Sequence, residues 1–205
     1  MFYEPHQGHG LPWDPLKAIV APRPIGWIST VNSKGQINLA PYSFFGMVQG
    51  RPPLVSFASE GLKHTAANAR ETGEFVFNLA TRAMADAMNR TSSHVPPDCN
   101  EFEYANIASA PSRHVRPPRV AEAPAALECR VTNVIDLTDL EGRPTNGYLV
   151  LGQVVGVHLD ERFLRDGRFD TAAAQSLARC GYRDYAVVDQ VFELERPDDP
   201  LPTQA

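Results

Sequence analysis

Between positions 25 and 31 the chain reads IGWISTV, an apolar and β-branched run; polar NSKG follows at 32–35, and QINLA restores an alternating pattern at 36–40. Two such runs joined by turn residues predict an antiparallel hairpin. The same patterning predicts strands at 54–58 (LVSFA), 74–79 (EFVFNL), 125–137 (AALECRVTNVIDL), 147–159 (GYLVLGQVVGVHL) and 185–194 (YAVVDQVFEL). Two segments lying between strands, 63–71 (KHTAANARE) and 82–90 (RAMADAMNR), carry the alanine and methionine content of helices. Positions 92–124 hold six prolines and cannot be regular throughout, yet Phe102, Tyr104 and Ile107 are too apolar for a plain linker. That stretch reads as an ordered excursion. Mostly antiparallel strands with two helices predict a mainly β fold, a barrel carrying short helical insertions.

Composition narrows the class. With 205 residues, 43% of them hydrophobic, one domain with a full core is expected. Net charge is −5, and no lysine or arginine cluster is dense enough to track a phosphate backbone, which argues against a nucleic-acid partner. Cys99, Cys129 and Cys180 are odd in number and form no C-x-x-C, so neither a disulfide framework nor a thiolate zinc site is expected, and a reducing cytoplasm fits best. The first residues, MFYEPHQGHGLPWDP, lack an apolar signal region, and no run of about 18 apolar residues occurs, so the expectation is a chain neither exported by that route nor membrane-spanning.

There is no G-x-S-x-G elbow, no G-x-G-x-x-G and no P-loop. His6 and His9 have a ligand-like spacing but sit in a Gly/Pro-rich terminus that reads as solvated, so no metal site is expected. At 59–71, SEGLKHTAANARE, Ser59 and Gly61 fall in a turn after a strand and Lys63 and Thr65 at a helix start. Amides, a hydroxyl and an ammonium could there converge on an anion such as a phosphate, or the segment is an ordinary helix start with an exposed lysine. At 38–45, NLAPYSFF, a strand broken at Pro41 would free backbone groups beside Tyr42, Phe44 and Phe45, an arrangement suited to a flat heteroaromatic ring. The other reading is a strand end with core phenylalanines.

Five stretches resemble the flavin reductase-like family of FMN-binding split-barrel proteins, which includes flavoredoxins and the reductase components of two-component monooxygenases. They are RPIGWISTVNSKGQINLAPYSFF (23–45), KHTAANARETGEFVFNL (63–79), PPRVAEAPAALEC (117–129), GQVVGVHLD (152–160) and ARCGYRDY (178–185), in the family's order over about four-fifths of the chain. The resemblance implies a split barrel over 18–195 between an N-terminal extension (1–17) and a C-terminal tail (196–205). It further implies that Ser29, Thr30, Asn38, Leu39, Ala40, Pro41 and Ser43 hold the isoalloxazine, with Ser59, Lys63 and Thr65 near the phosphate. The expected activity is NAD(P)H:flavin reduction, with hydride passing from nicotinamide to FMN and no obligatory general acid or base. A flavoredoxin-like electron carrier and a non-catalytic flavin-binding module are the alternatives. His158 and Arg179 are candidates to position the nicotinamide, against readings as a strand-end histidine and a surface arginine. A homodimer and a partner monooxygenase or redox protein complete the expectation. Two departures stand out: Lys63-His64-Thr65 where the family commonly has K-D-T, and Tyr182 where it commonly has glycine.

Overall fold

The structure, a computed structural model, describes residues 1–96 and 98–196. Of the tail expected at 196–205, all but Arg196 lies outside the described residues. Seven strands form one antiparallel sheet: β2 (Gly26–Val31), β3 (Ile37–Tyr42), β4 (Phe45–Gly50), β5 (Pro53–Glu60), β6 (Glu74–Leu79), β7 (Ala125–Thr138) and β8 (Pro144–Leu159), in the order β3-β2-β6-β7-β8-β5-β4. β1 (Arg23–Pro24), β9 (Ser176–Arg179) and β10 (Tyr185–Val188) make a small second sheet. The two ends of the long order, β3 and β4, are consecutive in the chain and joined at Ser43 and Phe44. The Ala58 N–H of β5 donates to the Phe44 carbonyl at 2.8 Å, so the sheet rolls up and the chain crosses its open seam at this corner. No helix among the described residues is long and apolar enough to cross a membrane.

Strand alternation sorts the side chains into two layers. Ile28, Phe57, Phe75, Phe77 and Cys129 point into the barrel with Ala66 and Ala69 of helix α2 (His64–Thr72), which plugs one end. Phe75 stands edge-on to Phe57 at 5.3 Å, and Phe45 stacks flat on Phe77 at 4.5 Å. The outward positions Ile25, Trp27 and Leu39 form a second core beneath the excursion, meeting Met88 of α3 (Ala85–Arg90) and Phe102 of α4 (Glu101–Tyr104). A four-residue helix α1 (Leu16–Ile19) precedes β1 and packs so closely on Gly181 that a Cβ there would lie 2.4 Å from that of Ala18.

Several expectations need correction. β3 does not break at Pro41: it runs through Tyr42, with Trp27 opposite Pro41. The Leu39 N–H points off the sheet edge, and Pro41 shares its phase two residues on, so the missing N–H costs no ladder bond. Tyr42 and Phe45 belong to the barrel core, and of the three aromatics only Phe44 is exposed. Neither β4 nor β9 is predicted by the pattern, while the strand expected over 185–194 stops at Val188. The second helix starts as a 3-10 turn, Arg82–Met84, before α3.

Candidate functional site

A cleft of about 530 Å³ opens where the β3 edge turns the corner into β4, faced by the N-terminus of α2 and the segment following α3. That size suits a cofactor-scale ligand, which typically occupies about 300–1,000 Å³. α2 follows Lys63, whose backbone is extended, and has no side-chain cap and no acidic residue in its first turn. Its first amides therefore present a positive helix end to the cleft, reinforced by the Lys63 ammonium. Gly73, left-handed at φ 73°, ends the helix with its N–H on the Ala69 carbonyl.

The floor is a polar network rather than apolar packing. The Asn38 amide, reaching inward from β3, contacts the Thr65 hydroxyl at 2.8 Å. Burial holds the Tyr42 hydroxyl's pKa above the ordinary value, with the nearby Thr65 and Ser59 hydroxyls opposing the shift. Glu101, only 4% exposed, closes the floor from α4. Asn100 caps that helix by accepting the Phe102 N–H at 3.1 Å, and burial of Phe102 against Trp27 and Leu39 sets Glu101 on the β3 edge. There its carboxylate accepts the Leu39 N–H at 2.9 Å. Burial nonetheless raises the Glu101 pKa, with the Leu39 N–H and the His64 charge opposing it.

Of the residues singled out from sequence, Asn38, Ala40, Pro41, Ser43, Lys63 and Thr65 line this cleft together. Ser29, Thr30, Leu39 and Ser59 do not. Ser29 faces the outer layer and donates to the Pro118 carbonyl, Thr30 accepts from the Asn68 amide of α2 at 3.1 Å, and Ser59 donates to the Gly61 carbonyl at 2.7 Å. Leu39 packs outward. His158 and Arg179 are also outside the cleft: His158 sits 2.5 Å from the buried Glu128 carboxylate, and Arg179 donates to the Tyr185 hydroxyl at 2.6 Å. Tyr182 does not line the cleft either, and its backbone is left-handed (φ 53°), the region glycine enters most freely.

Sequence reasoning missed Glu101, the wall at Ser92, Ser93 and His94, and Lys17, whose ammonium lies 5.4 Å from the Phe44 ring centroid and pairs with Glu60 at 3.3 Å. Lys17 belongs to the site although it falls in the stretch expected to be an N-terminal extension. The one signal for Glu101 is the Asn-Glu-Phe order, a helix cap followed by an acid and an apolar anchor.

Residues 20–173 match the family described as Flavin reductase like domain, and the chain belongs to that family. It is 35% identical to the uncharacterized protein BH2278 of Halalkalibacterium halodurans, over 89% of each chain. Its structure is similar to that of nitrilotriacetate monooxygenase component B from Bacillus cereus, with a TM-score of 0.87 at 30% identity, over 95% of this chain and 98% of the other. It is also similar to 2-nitrobenzoate 2-nitroreductase NbaA of Pseudomonas fluorescens, with a TM-score of 0.79 at 28% identity, over 93% and 92% of the two chains. The barrel is thus the split barrel of flavin reductases.

Proposed function

We propose that the chain is an FMN-dependent oxidoreductase, a flavin reductase using NADH or NADPH, with FMN held in this cleft. The observation that carries the reading is one cavity walled on one side by an uncapped, positively charged helix start and on the other by the edge of β3. A phosphate fits the first: the α2 amides, Lys63 and the Thr65 hydroxyl are donors with no competing acid in the first turn. A flat ring with a polar rim fits the second, where Asn38, Ala40, Pro41 and Ser43 line the cleft and Phe44 adds apolar surface. Ser29, Thr30, Leu39 and Ser59 act behind that surface, fixing its shape through bonds and packing.

FMN, when bound, supplies the ring that accepts hydride from reduced nicotinamide and passes the electrons on. The protein's share is to bind, orient and shield, which requires no triad. Family membership and similarity to a monooxygenase component and a nitroreductase support the reading, with a monooxygenase or redox protein as the electron acceptor. The proposal includes a cytoplasmic homodimer: Met47 (68% exposed) and Val48 of edge strand β4 stand bare beside Phe44, surface that a second copy would cover.

The binding test compares FMN with riboflavin. A charge-assisted phosphate contact contributes about 1.5–3 kcal/mol, so Lys63→Ala should weaken FMN about ten-fold or more and leave riboflavin almost unchanged in fluorescence titrations. Equal losses for both would remove Lys63 from the phosphate site.

A further inference from the structure

An anion entering this cleft meets a second charge of its own sign. Glu101 is buried on the floor, and the Asn38 amide links it to Thr65, the second residue of α2. The groups around it are distributed over every neighbouring element. Tyr42 comes from β3, Lys63 and His64 from α2, and His94 from the segment after α3. The Arg90 guanidinium of α3 is spent on the Ala105 carbonyl at 2.7 Å, Lys17 is paired with Glu60, and Glu103 of α4 accepts from Asn100 at 3.0 Å. The ionised carboxylate is thus supported by the Leu39 N–H, by its own backbone N–H and, electrostatically, by His64.

An ionised Glu101 is matched by one orientation of the Asn38 amide, and a protonated Glu101 would require the other. With Nδ2 toward the carboxylate at 3.3 Å, Oδ1 accepts from the Thr65 hydroxyl at 2.8 Å, which occupies the Thr65 proton. In the reversed orientation Nδ2 donates to Thr65 Oγ1 at 2.8 Å, the amide gives up the Leu39 N–H that Oδ1 otherwise accepts at 3.2 Å, and Oδ1 faces Glu101, an arrangement satisfied only when the carboxyl carries a proton to donate. The Thr65 hydroxyl is then free to donate into the cleft. Protonating Glu101 therefore removes a repelling charge and releases a hydrogen-bond donor at the same place.

We infer that Glu101 makes binding of a phosphorylated cofactor proton-linked: as the anion enters, the Glu101 carboxylate takes a proton from solvent, the Asn38 amide turns over, and Thr65 donates to the phosphate. No bond to carbon changes, and the proton balance is one taken up per carboxylate neutralised. The inference rests on the cofactor reading above and adds to it a regulator that responds to pH.

Glu101→Gln holds the site in its neutral arrangement, since the new amide can accept from Leu39 and donate to Asn38. FMN and riboflavin affinities of both proteins, measured from about pH 5 to about pH 8.5, separate the outcomes. The variant should bind FMN several-fold more tightly than wild type at the alkaline end, with the ratio approaching one at the acid end, and riboflavin should show no such trend. An FMN ratio that stays flat with pH, or a trend shared by riboflavin, overturns the inference and leaves the cofactor reading standing. Failure of both proteins to bind FMN overturns that reading and the inference with it. Should Glu101→Gln not fold, calorimetry of FMN binding at about pH 8, where a phosphate monoester is already fully ionised, is run in buffers of different ionisation heat. Proton uptake that persists in both His64→Gln and His94→Gln supports Glu101. Uptake absent from wild type, or abolished in either histidine variant, overturns the inference.

Discussion

Burial and the Leu39 N–H act on the Glu101 carboxyl in opposite directions, and burial is the larger, so this group holds its proton more firmly folded than unfolded. The sign of the linkage follows: its contribution to stability is complete below the ordinary value of 4.5 and is lost as pH rises through the folded value. Wild type should therefore lose thermal stability relative to Glu101→Gln as pH rises above the ordinary carboxyl value, a tenfold difference in proton affinity between the folded and unfolded chain being worth about 1.4 kcal/mol. A stability difference that does not change with pH would mean that the carboxyl titrates normally. Glu128 behaves in the reverse sense. Burial pushes it up, but the His158 side chain and the N–H groups of Arg113 and His114 outweigh burial and hold it below 4.5. Its stabilisation is present at neutral pH and is lost as pH falls through the lowered value, so Glu128→Gln should cost stability at about pH 7 and progressively less as pH falls below the ordinary carboxyl value. Lys63 and Thr65 are legible in the sequence because a turn followed by helix formers marks a helix start. Glu101 is not, because it lies in a proline-rich stretch without periodicity and is brought to the cleft by the Phe102 anchor from the outer core.

The decisive element is the corner between β3 and β4. Gly26 leaves room there: a Cβ on it would stand 2.6 Å from the Phe45 ring, which is held flat against Phe77. Gly26→Ala should cost about 1–3 kcal/mol in urea unfolding, and displacing Phe45 should also shift Phe44 and weaken FMN. Unchanged stability would show that the ring has room to yield. Crowding the cleft side of β3 should act more selectively. Ala40→Leu should disturb FMN affinity and the flavin spectrum more than Ser43→Ala does, because bulk on the strand blocks approach whereas one hydroxyl is a single contact. A normal flavin spectrum and affinity in Ala40→Leu would count against the ring lying along this edge. The hairpin β2–β3, strands β5 to β8 and α2 are legible from alternation and turn residues. FGMVQG at β4 carries too little periodicity to announce a strand, and SLAR at β9 is one only because β1 and β10 flank it.

Across the full chain, the seven-strand order brings distant stretches to one cleft: residue 17, the β3–β4 corner, the start of α2, and positions 91–95 and 101. Pattern alone could predict a barrel, but its seam depends on β3 and β4 being sequence neighbours at opposite ends of the sheet, which alternation within strands does not encode. The exposed Phe44, Met47 and Val48 beside that seam predict a dimer in sedimentation velocity runs, and Met47→Glu with Val48→Glu should shift it towards monomer. A wild-type monomer at micromolar concentration would rule out a second copy on this surface. The proposed activity turns on whether FMN held in the cleft is reduced by a nicotinamide. The FMN-loaded protein should be titrated anaerobically with NADH and with NADPH and followed at the flavin absorbance band. Prompt bleaching by at least one donor is expected, with a primary isotope effect from deuterated donor where the chemical step limits the rate. A bound flavin that neither donor bleaches, but that a reduced redox protein bleaches readily, would refute nicotinamide-driven reduction and make the chain an electron carrier.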